Sequence, residues 1–185
     1  EGQIPLNYNH KVGSGYTDGA DSFASAIFSG GYVDGSNQPL YPFGYGLSYT
    51  SFAVEGLEAD KTAATDGTIT VRCTVKNTGE REGSEVVQLY THFNGAHVTR
   101  PNKQLQGFAR VDLAPGEEKT VTFRLACAQL GYYNEEMEFV VEPGMLDVLV
   151  GTSSEQLPLR TRTQLTGPAV NVMGKRAYTC PVTVE

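Results

Sequence analysis

Thr68-Ile-Thr-Val-Arg-Cys-Thr-Val-Lys76 alternates strictly between polar and apolar residues. Successive side chains of a β-strand point to opposite faces, so this period of two predicts a half-buried strand. The turn Asp66-Gly67 precedes the stretch, and the turn-rich segment 77–83 follows it. The predicted strand would carry its apolar side chains on one face, namely Ile69, Val71, Cys73 and Val75.

Similar segments follow at spacings of roughly eight to twelve residues, each bounded by turn residues. We predict strands over 85–93, 105–111, 119–125 and 157–165, and a hairpin formed by 137–141 and 146–150 around Glu142-Pro-Gly144. Residues 126–134 suit a turn of helix or an irregular crossover. About seven short strands with almost no helix predict an all-β, immunoglobulin-like sandwich of two sheets over residues 52–165.

The three cysteines limit the chemistry of the chain. Cys73, Cys127 and Cys180 have no short spacing between any two of them, which argues against a cysteine-based zinc site. The alternation around Cys73 favours a buried thiol that packs as a small apolar group. A Cys73–Cys127 bridge between the sheets stays open, although the chain has no Trp to pack on it.

Charge and hydropathy exclude two classes of partner. The chain has 21 acidic and 14 basic residues, a net charge of −7, which repels nucleic acids. No apolar run approaches the ~20 residues needed to span a bilayer. We therefore predict neither a nucleic-acid partner nor a membrane partner. Glu1-Gly-Gln-Ile-Pro5 shows no basic region and no apolar signal core, and the sequence does not indicate a compartment.

Residues 39–52 separate the strand-rich part from an irregular, glycine-rich segment. Pro39-Leu-Tyr-Pro-Phe-Gly-Tyr-Gly-Leu-Ser-Tyr-Thr-Ser-Phe52 contains five aromatic residues, which suits a connector bound to protein on both flanks. The alternative is an aromatic strand within one core. Residues 1–38 suit at most a short helix over 22–28 and an edge strand near Ile4, and they cannot bury enough apolar area to order themselves. When the partner domains are missing, we expect residues 1–50 to lie over the sandwich or to stay disordered.

Three strings, in this order, carry a family resemblance. They are Gly2-Gln-Ile-Pro-Leu-Asn-Tyr-Asn-His10, the 39–52 string, and Arg100-Pro-Asn-Lys-Gln-Leu-Gln-Gly-Phe108 followed by Leu113-Ala-Pro-Gly-Glu117. Together they resemble the C-terminal part of a family-three glycoside hydrolase, the β-glucosidase and β-xylosidase family. The resemblance covers the end of its α/β sandwich domain, a linker and a fibronectin type III-like domain.

The resemblance implies residues 1–51 as the remnant of a catalytic-region domain plus linker, and 52–165 as the fibronectin type III-like sandwich. Residues 166–185 extend past the family pattern, and their segment 178–184 suits an edge strand. It implies a retaining, exo-acting parent enzyme whose nucleophilic aspartate and acid/base residue lie outside this chain. This module would stabilise the catalytic domains and dock onto them. Two alternatives stay open, a free carbohydrate-binding or adhesion module and a subunit of a split glycosidase.

Two sets of side chains are candidate contact residues. We predict interdomain docking by Tyr41, Phe43, Tyr45, Arg100, Lys103 and Phe108, because aromatic and Arg side chains anchor interfaces. The alternative places Leu105 and Phe108 in the core and leaves Arg100 and Lys103 merely exposed. Sugar stacking is a weaker hypothesis, and its candidates are Tyr32, Tyr41 and Tyr45.

The titratable residues do not form a recognisable catalytic pattern. Glu135, Glu136 and Glu138 suit a solvated rim. The outward residues of the predicted strands are mostly Thr, Arg, Lys and Glu, and Tyr90 is the main exception. The acidic residues in glycine-rich loops suit turns rather than calcium ligands, namely Asp18, Asp21 and Asp34. No histidine stands in a nucleophile motif, neither His10, His92 nor His97. We predict no catalytic residue, no metal and no cofactor in this chain.

Overall fold

Two facing β-sheets form the body of the protein. The computed structural model describes residues 39–94 and 98–185. The expectations for residues 1–38, including Tyr32 as a sugar-stacking residue, and for His97 lie outside these ranges. The described strands are β1 Phe52–Ala59, β2 Thr62–Ala64, β3 Thr68–Asn77, β4 Gly83–Asn94, β5 Gln104–Leu113, β6 Glu118–Ala126, β7 Tyr132–Tyr133, β8 Phe139–Val141, β9 Gly144–Gly151, β10 Leu159–Thr166, β11 Val170–Asn171 and β12 Val182–Val184.

The strand order confirms the two-sheet sandwich. One sheet has the order β1-β3-β6-β12, the other has the order β2-β10-β9-β4-β5, and a small third sheet has the order β11-β8-β7. Neighbouring strands are antiparallel except β2 and β10, which run parallel. A 3₁₀ helix, Cys127–Leu130, links β6 to β7. In the described ranges no helix is long and apolar enough to cross a membrane.

The core lies between the inner faces of the two large sheets. The predicted inward side of β3 is confirmed, since Ile69, Val71 and Val75 are fully buried. Phe123 and Leu125 of β6 are fully buried as well, and the facing sheet supplies the following residues: Val87, Leu89, Val111, Leu146, Val148, Val150 and Leu165. The alternation that predicts each strand therefore also identifies most of the core.

The predicted hairpin of 137–141 and 146–150 is wrong. β9 pairs with β4 on one edge and with β10 on the other, so neither edge can accept β8. β8 instead pairs with β7 and β11. Met137 is 74% exposed with a φ of 60°, and it belongs to a tight turn closed by its N–H donating to the Asn134 carbonyl at 3.1 Å. Met137 therefore does not share a strand face with Phe139.

The three cysteines are free thiols. The Cys73–Cys127 bridge that the sequence left open is not formed. Both side chains are buried in the core, and burial raises the pKa of each thiol to about 11. The interpretation of Cys73 as a small apolar residue is confirmed.

Asp147 is a buried carboxylate on β9. Its side chain accepts hydrogen bonds from Arg160 and from Arg162, whose Nε lies 2.8 Å away. Burial of Asp147 opposes ionisation, but the hydrogen bonds from Asn94, Arg160 and Arg162 and the charge of Arg160 outweigh it, so the pKa of this carboxyl is lowered. The charged form is therefore the one that the folded sandwich favours.

We expect Asp147→Asn to lower stability at pH 7 by about 1–3 kcal/mol, because the arginines lose a charged acceptor. A lowered pKa in the folded state contributes stability above the ordinary Asp value of about 3.9, and this stability is lost as the pH falls through the folded value. The variant should therefore lose less stability than the natural chain as the pH falls from 5 into the acid range.

Urea unfolding at several pH values measures the free energy of unfolding of both proteins. Asp112→Asn is the control, because the Asp112 side chain is 81% exposed. An unchanged pH slope in Asp147→Asn would contradict the assignment.

Candidate interdomain docking surface

The linker, residues 39–51, is held to the sandwich through its backbone. The Phe43 carbonyl accepts a hydrogen bond of 2.9 Å from the N–H of Ser154. Gly44 has a φ of 81°, and a Cβ at this position would lie 2.3 Å from Nε2 of Gln88. Only glycine satisfies both the dihedral angle and the close approach. The sequence at this point therefore fixes the path of the linker over β4.

The other end of the linker is attached to the turn between β3 and β4. Thr50 Oγ1 donates to Asn77 Oδ1 at 2.8 Å, and the N–H of Thr78 donates to the Ser51 carbonyl at 2.8 Å. Gly79 allows this contact, since a Cβ there would lie 2.3 Å from Thr50 Oγ1. The linker is thus attached at two points, one near Phe43 and one near Thr50.

The apolar side chains of the linker point away from the sandwich. Leu47 is 89% exposed and Tyr49 is 93% exposed. The rings of Tyr41 and Tyr45 pack against each other with centroids 5.2 Å apart. The exposed apolar residues of the linker are Leu40, Tyr41, Phe43, Tyr45, Leu47 and Tyr49. The alternative that this string is an aromatic core strand is wrong for residues 40–49, because these apolar side chains are exposed. Phe52, which begins β1, packs against the core.

Lys103 holds the loop on which Phe43 rests. Its ammonium group donates to the Ser154 carbonyl at 2.6 Å and to Oε1 of Glu155 at 2.9 Å. Because the N–H of Ser154 binds the Phe43 carbonyl, the Lys103 contact supports the linker through one intervening residue. The alternative of a merely exposed Lys103 is therefore wrong for this side chain.

Tyr90, which the alternation places on the outer face of β4, is only 3% exposed. Its hydroxyl donates to Gln88 Oε1 at 2.8 Å, and Gln88 Nε2 donates to the Thr152 carbonyl at 2.7 Å. Burial, followed by the charge of Glu155, raises the pKa of Tyr90 to about 12. The prediction of an outward, accessible Tyr90 is wrong, because the 152–156 loop covers this face.

Arg100 lies elsewhere and is bound within the module. Its guanidinium group stacks 4.2 Å from the ring centroid of Tyr132 and donates to the Leu130 carbonyl at 3.1 Å. Burial lowers the pKa of Arg100, and the stacking supplies a compensating cation–π contact. The alternative of a merely exposed Arg100 is therefore wrong. Its described contacts are with the crossover after β6.

Phe108 is outward on β5, the edge strand of its sheet, and is 64% exposed. The inward positions of this strand are Ala109, Val111 and Leu113. The alternative that Phe108 is a core residue is wrong, whereas Leu105 is half-buried. The structure therefore brings Tyr41, Phe43, Tyr45 and Lys103 together and leaves Arg100 and Phe108 apart from them.

An open cleft of about 450 Å³ lies between β1 and the loop that carries Ser154. Its walls include Phe52, Val54, Thr152, Gln156, Leu157 and Pro158. The cleft adjoins the point where the linker enters β1, so it extends the apolar surface of the linker. It contains no pair of facing carboxylates, and in the described ranges no three His, Cys, Asp or Glu side chains cluster as metal ligands. Glu135, Glu136 and Glu138 are exposed, as the solvated-rim interpretation predicts.

Sequence reasoning missed the polar residues that hold the linker, namely Asn77, Gln88 and Ser154. Asn77 lies in the Asn-Thr-Gly turn, and its burial depends on contacts made far along the chain. The glycines at 44 and 79 were the available signal, because a glycine often marks a close approach of the backbone to another group.

Comparison with known proteins identifies the module. Residues 85–154 match the family model described as a fibronectin type III-like domain. The chain is 40% identical over 158 residues to a periplasmic beta-glucosidase of Salmonella typhimurium, covering 84% of this chain and 20% of that protein. It is 41% identical over 164 residues to a beta-xylosidase of Formosa agariphila, covering 86% of this chain and 21% of that protein.

Solved structures agree with these relatives. The beta-glucosidase of Listeria innocua in complex with glucose superposes with a TM-score of 0.75 at 38% identity, over 91% of this chain and 23% of that one. The GH3 beta-glucosidase of Bifidobacterium adolescentis gives a TM-score of 0.63 at 40% identity, over 68% of this chain and 18% of that one. The chain thus spans about a fifth of the length of the relatives that it matches. The resemblance carried by the three strings is confirmed, and the chain belongs to family three of the glycoside hydrolases, as the C-terminal part that contains the fibronectin type III-like domain.

Proposed function

We propose that this module docks onto the catalytic domains of a retaining, exo-acting β-glucosidase or β-xylosidase and stabilises them. The observation that carries the proposal is the linker, whose backbone is fixed while its six large apolar side chains face outward. In this proposal residues 1–51 comprise the end of a catalytic-region domain and the linker. Residues 52–165 are the sandwich, and residues 166–185 are an extension that adds edge strand β12.

The energetics of the linker favour a protein partner. A contiguous, exposed apolar surface is costly in water and marks a contact site. Aromatic side chains held on an ordered backbone lose little further conformational entropy on docking, so more of their burial contributes to stability. The fixed backbone at Phe43 and Thr50 therefore makes the linker a preformed contact surface.

The geometry of Tyr41 and Tyr45 favours docking over sugar stacking. Their ring planes are inclined by 34°, so the two rings do not form one flat platform for a sugar chain. Both remain about half exposed after packing on each other. Apolar packing against a complementary protein surface satisfies this arrangement.

The test replaces Tyr41 and Tyr45 by Ser in the full-length hydrolase and in the isolated chain. In the full-length enzyme the variant would lose the contacts of Tyr41 and Tyr45 with the catalytic domains. We expect this to lower the stability by about 2 kcal/mol and the melting temperature by several degrees. The melting temperature of the isolated chain should stay within about 1 °C, since exposed substitutions change little. Scanning calorimetry of both proteins measures the difference.

Tyr178→Ser is the matched control, because Tyr178 is a 79% exposed tyrosine far from the linker. An equal shift in both proteins, or no shift in the full-length enzyme, would refute docking through the linker. Turnover of a nitrophenyl glucoside by the isolated chain would contradict its non-catalytic role. If the catalytic domains are a separate polypeptide, the same double variant should abolish co-elution of the two chains.

A further inference from the structure

A second cleft, of about 440 Å³, lies beside the small sheet β7-β8-β11. Its walls are Tyr133, Met173, Gly174, Arg176 and Tyr178, and we name it the C-terminal cleft. β9 begins at Gly144, just after β8, and ends at Gly151, beside the loop that binds Phe43. A strand of this length spans roughly 25 Å. The C-terminal cleft is therefore at the opposite end of the sandwich from the linker and is not part of the docking surface.

Arg176 occupies a fixed position in the C-terminal cleft. Its guanidinium carbon lies 3.8 Å from the ring centroid of Phe139 and 5.4 Å from that of Tyr133. One Nη donates to the Tyr133 hydroxyl at 2.7 Å. The Tyr133 and Phe139 rings meet edge to face with centroids 5.1 Å apart. These contacts restrict the long side chain, so its donors are oriented before any ligand arrives.

One donor of Arg176 is unused within the described part of the protein. The Nε of Arg176 is buried and has no hydrogen-bond partner there. Because Nε has almost no accessible surface, a ligand in the C-terminal cleft would accept hydrogen bonds from the Nη atoms of Arg176 instead. The remaining walls are apolar and accessible, since Tyr178 is 79% exposed and Met173 is 52% exposed.

Gly174, one of the residues that line the C-terminal cleft, faces open space. Gly174 has a φ of 77°, and a Cβ placed there would meet no atom within 4 Å. Aromatic and thioether groups surround a small number of oriented donors, which is the composition of small-molecule sites of about 300–1,000 Å³. The C-terminal cleft has the size and chemistry for one or two sugar rings, but not for a folded domain.

We propose that the C-terminal cleft binds a neutral oligosaccharide of pyranose sugars. A pyranose with equatorial hydroxyls has an apolar C–H face that packs on an aromatic ring such as Tyr178. Its hydroxyl oxygens accept hydrogen bonds from the guanidinium group of Arg176. Glu135, Glu136 and Glu138 lie in the turn that follows Tyr133 and disfavour an acidic sugar. The site does not depend on the docking of the linker.

The test is calorimetric titration of the full 185-residue chain with cellotetraose and with xylotetraose. At least one should bind with a Kd of about 1 mM or tighter. Tyr178→Ala should weaken that binding at least tenfold, and Arg176→Lys should weaken it by a similar factor. Tyr178 is exposed, so its replacement should leave the melting temperature unchanged.

Tyr49→Ala is the matched control, since Tyr49 is also an exposed tyrosine, at 93%, and lies in the linker. The proposal fails if neither tetrasaccharide binds saturably at millimolar concentration. It also fails if Tyr178→Ala binds like the natural chain, if Tyr49→Ala loses as much affinity as Tyr178→Ala, or if tetragalacturonate binds more tightly than both neutral sugars. Failure here leaves the docking proposal intact, because docking is measured by the linker variants.

Discussion

Asn77→Asp is expected to destabilise the isolated chain by about 3–5 kcal/mol at pH 7, the range seen when a buried polar pair is broken. Asn77 is fully buried at the end of β3. Its Nδ2 donates to the Arg81 carbonyl at 2.7 Å and to the Leu113 carbonyl at 3.0 Å. An ionised Asp at this position has no hydrogens to donate, so its carboxylate oxygen would face two carbonyl oxygens.

The other half of the Asn77 side chain explains why the effect should reach the linker. Its Oδ1 accepts hydrogen bonds from Thr50 Oγ1 and from the N–H of Gly79. One amide therefore connects the linker, the β3–β4 turn and the end of β5. Asn77→Asp should expose the linker to proteolysis near Thr50 as well as lower global stability.

Urea unfolding measures the global effect, and limited chymotrypsin digestion, which cleaves after aromatic residues such as Tyr49, measures the exposure of the linker. Asn102→Asp is the control, because Asn102 is an exposed asparagine in the loop before β5, and this change should stay within about 0.5 kcal/mol. Thr50→Val removes only one of the four hydrogen bonds and should cost about 1 kcal/mol. If Asn77→Asp is as stable as Asn102→Asp, the amide does not organise this end of the sandwich.

The example of Asn77 shows what alternation can and cannot predict. Ile69, Val71 and Val75 are in the core because a period of two along β3 places their side chains on the same face, the one that packs against the other sheet. Asn77 continues the same period and is buried too, yet its Asn-Thr-Gly context indicates an exposed turn. Its partners at Arg81 and Leu113 are set by the tertiary fold, which a local pattern does not contain.

The same limit explains the errors at β8 and Tyr90. Alternation correctly predicts apolar segments at 137–141 and 146–150, but pairing depends on which strand edges are already occupied. β4 and β10 occupy both edges of β9, so β8 joins a separate sheet. Tyr90 is on the predicted face, but a loop that begins over sixty residues later covers it. Local patterns predict strands and faces, whereas edge occupancy and coverage come from long-range contacts.

The candidate site was only partly visible in the sequence for a related reason. Aromatic richness and glycines at 44 and 46 indicated a contact segment, and the structure shows that segment ordered with its rings outward. Lys103 and Arg100 occur in one short string, yet Lys103 supports the linker through Ser154 while Arg100 stacks on Tyr132. Neighbours in sequence therefore need not share one surface.

Phe123→Ala is expected to lower the free energy of unfolding of the isolated chain by about 3–5 kcal/mol, the range for deleting a buried aromatic ring. Phe123 is fully buried in the middle of β6, a strand paired with β3 and β12. Its ring also packs close to Gly107, where an added Cβ would lie 3.2 Å from Cδ1. Domains are stable by about 5–15 kcal/mol, so this one cavity would remove a large share of the total.

Phe108→Ala is the matched control, because it makes the same change of residue on β5, which precedes β6 in sequence and lies in the facing sheet. Because Phe108 is 64% exposed, the isolated chain should lose no more than about 0.5 kcal/mol. Guanidinium unfolding of the two variants measures both losses of stability, and equal losses would contradict the outward orientation of Phe108 on β5.

The predicted docking role of Phe108 adds a second comparison. If Phe108 contacts a catalytic domain, Phe108→Ala should lower the melting temperature of the full-length hydrolase while leaving that of the isolated chain unchanged. An unchanged melting temperature in both would show that Phe108 is not part of the docking surface, which would then consist of the linker.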